Sequence, residues 1–341
     1  MSRAVVLGGT GVIGRAVARR LLGAGWDVTA VGRDRSHLPD DVAAAGGRFV
    51  AADRTEPDQL PAALGGGADL LVDCLCFTAG HARDLLPLLA DVGSTVMISS
   101  KAVYVDAVGN HVNSAAAPAF DGPVRESQPT MAPREDIDYL EGEGYGANKV
   151  AAEQVLLDSG HPVTVVRPSK VHGDGSSRPH EWVFVKRVLD RRPVVVLSRG
   201  GRGVDHPSAA VNVAALIETA AHNPGRRILN SADPDAPSAL EISRTVAGHL
   251  GHHWAEVLLD DDAPAELGPH PWDRVPGIRL DMTAAEDLGY QPAGDYATTV
   301  TTELDWLVSI AGHDPAHTGF DPEGFASMLD YTAEDDYLAR R

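Results

Sequence analysis

Seven residues near the start of the chain, Gly8-Gly9-Thr10-Gly11-Val12-Ile13-Gly14, constrain the fold most, because they join an apolar run, AVVLG, to a helical-period run, VIGRAVARRLLGAG. The spacing is G-x-x-G-x-x-G. Glycine at such a junction lets the backbone turn sharply, lets main-chain N–H groups approach a pyrophosphate, and lets the helix pack close to the strand. The positive end of the helix then favours the anion. Gly8, Thr10, Gly11, Val12, Ile13 and Gly14 are therefore expected to contact a dinucleotide.

Valine-rich runs continue to alternate with helical-period segments: DVTAVGR, RFVAAD, PDQLPAALG, DLLVDCLC, ARDLLPLLADVG and STVMISS. Continuous apolar strands separated by helices imply a parallel sheet covered on both faces, because parallel neighbours need a crossover helix. The expected class is α/β, a Rossmann-type doubly wound parallel sheet with a smaller C-terminal substrate-binding lobe. Residues 105–143 break the rhythm and read as a long loop, either a lid or a solvated excursion. A helix then follows in YGANKVAAEQVLLDSG, ended by Gly160, and a strand in PVTVVRPS. We expect residues 1–170 to form the dinucleotide-binding domain, with 204–235 returning to it. Residues 171–203 and 236–311 would form the smaller lobe, and 312–341 a peripheral acidic tail with one short helix.

A formal net charge of −19 repels phosphate backbones and anionic lipid, so neither nucleic acid nor a membrane surface is an expected partner. No window reaches the roughly 18 apolar residues of a membrane span, and the opening MSRAVVLGGTG lacks a leader pattern, so the expected location is cytoplasmic. Cys74 and Cys76 read as reduced core residues sharing one strand face, with a redox role for Cys76 as the alternative. His249, His252 and His253 lack a carboxylate or cysteine at ligand spacing, and no metal is expected. Trp182 and Phe184, on the apolar stripe of EWVFVKRVLDRR, read as lobe packing.

The second strand ends in Gly32-Arg33-Asp34, where an acid would bind a ribose 2′-hydroxyl and an arginine a 2′-phosphate. Either NAD or NADP fits, and the order, with Arg33 first, favours NADP. Asp53, ending RFVAAD, is placed to touch the adenine or to cap the next helix. Cys76 and Pro168 are further expected cofactor contacts. Tyr145 and Lys149 lie four apart at a helix start and so share a face. An isolated phenol titrates near pH 10, and a neighbouring ammonium favours the phenolate, which suits proton exchange with a hydroxyl or carbonyl. Ser100 closes the fifth strand, and carboxyl ends of parallel strands line ligand crevices.

In this order, GGTGVIG, SSKAVY and YGANK resemble the extended short-chain dehydrogenase/reductase family, of the NAD-dependent epimerase/dehydratase type. Pro123-Val124-Arg125-Glu126-Ser127-Gln128-Pro129 is similar to the family's acidic loop, and Arg167-Pro168-Ser169-Lys170-Val171-His172-Gly173 to its R-P-x-x-V-x-G segment. With AVNVAALIETA and LDMTAAEDLGYQP, the resemblance covers residues 3 to 310. It implies Tyr145 as acid/base, Lys149 as its electrostatic partner and Ser100 as the hydroxyl that positions the substrate oxygen. Lys101, Lys170 and His172 are candidate substrate contacts, with surface ion pairs as the alternative.

The chain also departs from the family pattern. Lys101 and Ala102 replace the Asp-Glu pair of the sugar dehydratases. Lys170 stands where diphosphate-sugar binders have asparagine, and Asp205 where they have arginine. The expected substrate is thus a small hydroxyl or carbonyl compound, sugar-, cyclitol- or nucleoside-like without the diphosphate, oxidised transiently for epimerisation or elimination. The alternatives are an NADPH-dependent ketone reductase or dehydrogenase, and a non-catalytic dinucleotide-binding regulatory protein. Paired helices at the sheet edge raise the expectation of a homodimer.

Overall fold

Apolar strands must pair their backbone groups with neighbours, and seven runs do so in parallel. These are β1 (Arg3–Leu7), β2 (Asp27–Gly32), β3 (Arg48–Ala51), β4 (Ala68–Asp73), β5 (Val92–Ile98), β6 (Val163–Pro168) and a seventh strand, Arg227–Ser231. From that seventh strand inward the order is β6, β5, β4, β1, β2, β3. The computed structural model describes residues 1–341, the side chains of residues 316 and 317 excepted. Two compact units result. The first contains Met1–Val171, Ala210–Ala232 and Leu280–Ala293; the second contains His172–Ala209, Asp233–Arg279 and Gly294–Arg341.

Alternation along each strand divides the first unit's core. Ala4, Val6, Ala30 and Val72 pack against the helices Val12–Gly23 and Ala210–His222. Val5, Leu7, Leu71 and Met97 pack on the opposite face with the helices Leu60–Leu64, Ala79–Leu85 and Gly142–Leu157. The cysteines correct the expectation of a shared face. Cys74 joins the first cluster and Cys76 the second, because the strand ends at Asp73 and its period of two stops there.

The helix carrying Tyr145 begins three residues earlier than the period indicated, at Gly142, and its C-cap is Asp158; Gly160 lies beyond it with φ +80°. The loop 105–143 is neither free nor fully solvated. Met131 N–H donates to Val103 O at 2.8 Å, and the Glu126 carboxylate accepts Asn230 N–H at 2.7 Å from the edge strand. Only Ala210–Ala232 of the expected 204–235 return belongs to the first unit, and Leu280–Ala293 joins it as well. Backbone pairing accounts for the latter: Asp281 N–H donates to Val124 O at 2.9 Å. Among the described residues no helix is long and apolar enough to cross a membrane.

In the second unit the strands Val194–Leu197 and Ala255–Leu258 pair in parallel, and Phe184 stacks on Trp272 at 5.7 Å. The acidic end of the chain is not peripheral. Phe320 and Phe325 enter the core beside Trp182, and Glu334 pairs with the buried Arg187 at 2.8 Å. A composition rich in acids and turn formers concealed these few anchoring residues.

His172, expected near the substrate, lies in a buried polar cluster of this second unit. Its Nε2 is 2.8 Å from Asp233 Oδ2, and its ring meets that of Tyr296 at 5.1 Å. The Glu303 carboxyl accepts Gly173 N–H at 2.7 Å, and Tyr296 OH donates to Glu181 at 3.1 Å. Burial alone would depress His172, but the hydrogen bond and charge of Asp233 overcome it and raise the imidazole. Burial, reinforced by the charge of Glu181, raises Glu303 and Tyr296. His172, Glu303 and Tyr296 each therefore hold their proton more tightly in the folded chain than in the unfolded one.

Replacing Phe320 by Ala should destabilise the second unit by about 3 kcal/mol, as for a core aromatic; an unchanged melting temperature would show a dispensable tail. A group raised in the folded state contributes stability that disappears as pH rises through its folded value. Melts followed by tryptophan emission, dominated by Trp182, Trp254, Trp272 and Trp306, should therefore shift to lower temperature as pH rises above about 6.5.

Candidate active site

The glycines at the end of β1 answer to different neighbours. Gly8 takes φ +80°, and the N–H groups of Gly8 and Gly9 both donate to Val31 O at 3.0 Å. A Cβ on Gly9 would sit 2.6 Å from Ala30 Cβ, and one on Gly14 2.1 Å from Gly8 O, so strand and helix can meet only there. Gly11 differs. A Cβ on it would meet nothing nearer than Gly8 O at 3.5 Å, an ordinary contact. The protein's own packing does not require glycine at that position, whereas a ligand backing onto the turn would. No side chain caps the helix Val12–Gly23, and its first turn has no acidic residue, so its amide end suits an anion.

This turn forms one wall of a groove of about 340 Å³ in the first unit, lined also by Arg33, Asp53, Arg54, Phe77, His81 and Tyr139. Asp34 turns away to the backbone: its carboxylate accepts Ser36 N–H at 2.8 Å, and that hydrogen bond holds it below the usual carboxylate range. Asp53 both lines the groove and turns the chain, accepting Thr55 N–H at 2.9 Å, which lowers it likewise. Arg54 is buried. It donates to Asp73 at 2.8 Å and to the His81 carbonyl, joining the ends of β3 and β4 to the following helix. His81 accepts Phe77 N–H at 3.2 Å through Nδ1, and burial, then the charge of Arg54, lowers its affinity for a second proton. The groove's glycine turn and the helix amide end beside it fit a nicotinamide dinucleotide.

Farther along the carboxyl edge of the sheet stand Tyr145 and Lys149. The helix that carries them is seated by glycine: a Cβ on Gly144 would lie 2.0 Å from Asp138 O, and one on Gly146 2.5 Å from Ala102 O. Lys149 is almost wholly buried, and its Nζ donates to Cys76 O at 2.8 Å and to Ile98 O at 2.9 Å. The same ammonium lies 4.3 Å from the centre of the Phe77 ring and 5.9 Å from that of Tyr145. Phe77 stacks on Tyr139 at 5.3 Å and approaches Tyr145 at 6.5 Å. An aromatic wall thus joins the groove to the tyrosine. Ser100 follows β5, and its Oγ accepts Ala102 N–H at 3.1 Å, leaving the hydroxyl proton and a lone pair for another partner.

Gly8, Thr10, Gly11, Arg33 and Asp53 line the groove, whereas Ile13 and Gly14 lie beneath the turn in packing contacts. Val12 opens the helix, half-buried. Cys76 presents its carbonyl to Lys149 and buries its thiol, which desolvation pushes up to about 12. Pro168 ends β6 and is buried. Lys101 is buried beside Ser100, and Lys170 is half-buried in the short strand Lys170–His172. Sequence reasoning missed Arg54, Phe77, His81 and Tyr139. The available signal was position, since Arg54 and Phe77 follow the expected ends of strands; Tyr139 had none, because it arrives from the irregular loop.

A sequence profile described as the NAD dependent epimerase/dehydratase family matches residues 4–223. No curated protein matches the chain. Among solved structures, "MoeE5 in complex with UDP-glucose and NAD" is 19% identical over 91% of this chain and 100% of that one, with TM-score 0.66. UDP-glucose 4-epimerase from Thermotoga maritima with UDP-glucose is 15% identical, covering 91% and 99%, with TM-score 0.68. dTDP-glucose 4,6-dehydratase from Bacillus anthracis in complex with NAD is 13% identical, covering 93% and 100%, with TM-score 0.66. At these identities the likeness is one of fold.

Two single-methyl substitutions separate packing from binding. Gly14→Ala should unfold or strongly destabilise the first unit, whereas Gly11→Ala should melt near the parent and lose at least tenfold in dinucleotide affinity, read by NADPH fluorescence. Equal melting losses in both, or full affinity in Gly11→Ala, would remove the groove from consideration.

Proposed function

The chain belongs to the NAD dependent epimerase/dehydratase family, and on that premise we propose that it oxidises a substrate hydroxyl transiently, so that epimerisation or elimination can follow before the hydride returns. The observation that carries this reading is the continuous arrangement within one unit: a glycine turn with ligand space at Gly11, an aromatic wall at Phe77, and Tyr145 with Lys149 beyond it. When bound, the nicotinamide would accept and return hydride. Gly11 and the helix amide end would hold the pyrophosphate, and Arg33 and Asp53 the adenosine portion.

Tyr145 is the proton carrier in this reading. Its phenolate oxygen removes the hydroxyl proton as the C–H bond breaks, and its phenol gives the proton back on reduction. Lys149 supplies fixed positive charge, oriented by two main-chain carbonyls and shielded from water, where its field is strongest. Ser100 holds the reacting oxygen with the hydroxyl proton it has left. Lys101 and Ala102 offer no second carboxyl acid/base, which directs the reading away from sugar 4,6-dehydration. A sugar-, cyclitol- or nucleoside-like substrate without a diphosphate accords with Lys170 and Asp205.

A specific observation favours a second reading, net reduction of a ketone with NADPH. Arg33 lines the groove while the Asp34 carboxylate is committed to Ser36, an arrangement suited to a 2′-phosphate.

Purified protein should release a dinucleotide on denaturation if the cofactor recycles internally, whereas an empty site that binds NADPH would favour net reduction. Arg33→Ala should weaken NADPH about tenfold and leave NADH nearly unchanged, by loss of one charge-assisted phosphate contact. Tyr145→Phe should lower turnover about 10²–10⁴-fold, the usual contribution of a general acid/base. Affinity for neither dinucleotide would overturn the whole reading.

A further inference from the structure

One helix face carries more than the tyrosine and lysine. Tyr145, Lys149 and Glu153 are spaced by four along Gly142–Leu157 and so stand one above another. Glu153 is 2% exposed, and both oxygens of its carboxylate are engaged. Oε1 accepts the Ser99 hydroxyl in a short hydrogen bond and Arg167 Nε at 3.0 Å, while Oε2 accepts Arg167 Nη2 at 2.5 Å.

The partners of Glu153 adjoin the candidate site. Three consecutive residues at the end of β5 each face a different group. Ile98 O accepts Lys149, Ser99 Oγ donates to Glu153, and Ser100 presents the candidate substrate hydroxyl. Ser99 N–H also donates to Val166 O at 2.7 Å. Arg167 is the next-to-last residue of β6, and its guanidinium lies 4.9 Å from the centre of the Tyr104 ring, whose hydroxyl donates to Asn230 at 2.6 Å. One carboxylate therefore ties the helix of Tyr145 and Lys149 to the ends of two strands.

A buried ion pair is a poor device for stability, since desolvation consumes most of its Coulombic gain and well-packed apolar residues do as well. Its bidentate geometry does fix position and angle. Any shift of the helix along its axis would separate the Glu153 carboxylate from both Ser99 and Arg167. We propose that Glu153, acting through Ser99, is a positioning residue that sets the helix of Tyr145 and Lys149 in register with Ser100. The proposal rests on the reading of those three residues as the reacting groups.

Removing Glu153 would strand the Arg167 charge and endanger folding, so the principal variant is Ser99→Ala, with Glu153→Asp beside it, each in the full chain. Hydrogen–deuterium exchange needs no substrate. In Ser99→Ala, peptides covering 98–104 and 142–152 should both exchange at least threefold faster while the rest of the first unit is unchanged. An unchanged pattern, or acceleration in only one of the two, would overturn the proposal.

Kinetics then test the consequence, with the substrate found through the assays above. Turnover in Ser99→Ala should fall about tenfold with KM within twofold, the signature of an interaction realised in the transition state. NADPH affinity and melting temperature should stay close to the parent. A loss of turnover that merely follows a loss of melting temperature would assign Ser99 and Glu153 to structure alone. If the parent turns over no hydroxyl or carbonyl compound while exchange remains coupled, the functional reading fails and the positioning contact stands.

Discussion

The parallel pairing of β1 with β4 on one side and β2 on the other governs the first unit. After β1 the chain proceeds outward to β3, then returns to lay down β4, β5 and β6 on the opposite side. At that reversal the connections leave in opposite directions and cannot close over the strand ends, which opens a crevice at the carboxyl edge. The glycine turn, Arg33, Phe77, Ser100 and Tyr145 all follow strands or begin helices at that edge. Helices cover both faces of the sheet, so the crevice lies at the ends of its strands.

Charge is buried at the same edge. Lys149, Glu153, Arg167, Arg54 and Asp73 are each nearly excluded from solvent. Each has defined partners: carbonyl oxygens for Lys149, and carboxylate–guanidinium pairs for the others. Such burial contributes little net stability but penalises any rearrangement that separates the partners. The strand ends therefore hold their geometry although the elements meeting there are otherwise turns. Glycines at 144 and 146 complete this seating by letting the helix approach backbone that any Cβ would push away.

Much of this arrangement was legible in the chain. Apolar runs and helical periods mark six of the seven strands of the first unit in their chain order. The same local reasoning failed where the period ended. A period of two carried past Asp73 puts Cys74 and Cys76 on one face, whereas the strand stops at Asp73, and composition puts 312–341 at the periphery because it does not reveal which aromatics find a core. Glu153 lay in plain view at four residues beyond Lys149. Its importance did not, because its partner Ser99 is 54 residues away.

The doubly wound parallel sheet, the turn of Gly8 to Gly14 and the shared face of Tyr145 and Lys149 follow from the chain alone. They rest on sterics and periodicities acting between residues near in sequence. Three-dimensional packing was needed to establish that Gly9 and Gly14 meet protein while Gly11 faces open space, that Arg33 lines the groove while Asp34 caps a turn, and that His172 belongs to a buried cluster of the second unit. Each of these depends on atoms delivered by distant segments, and neither local period nor propensity carries information about which of them will arrive.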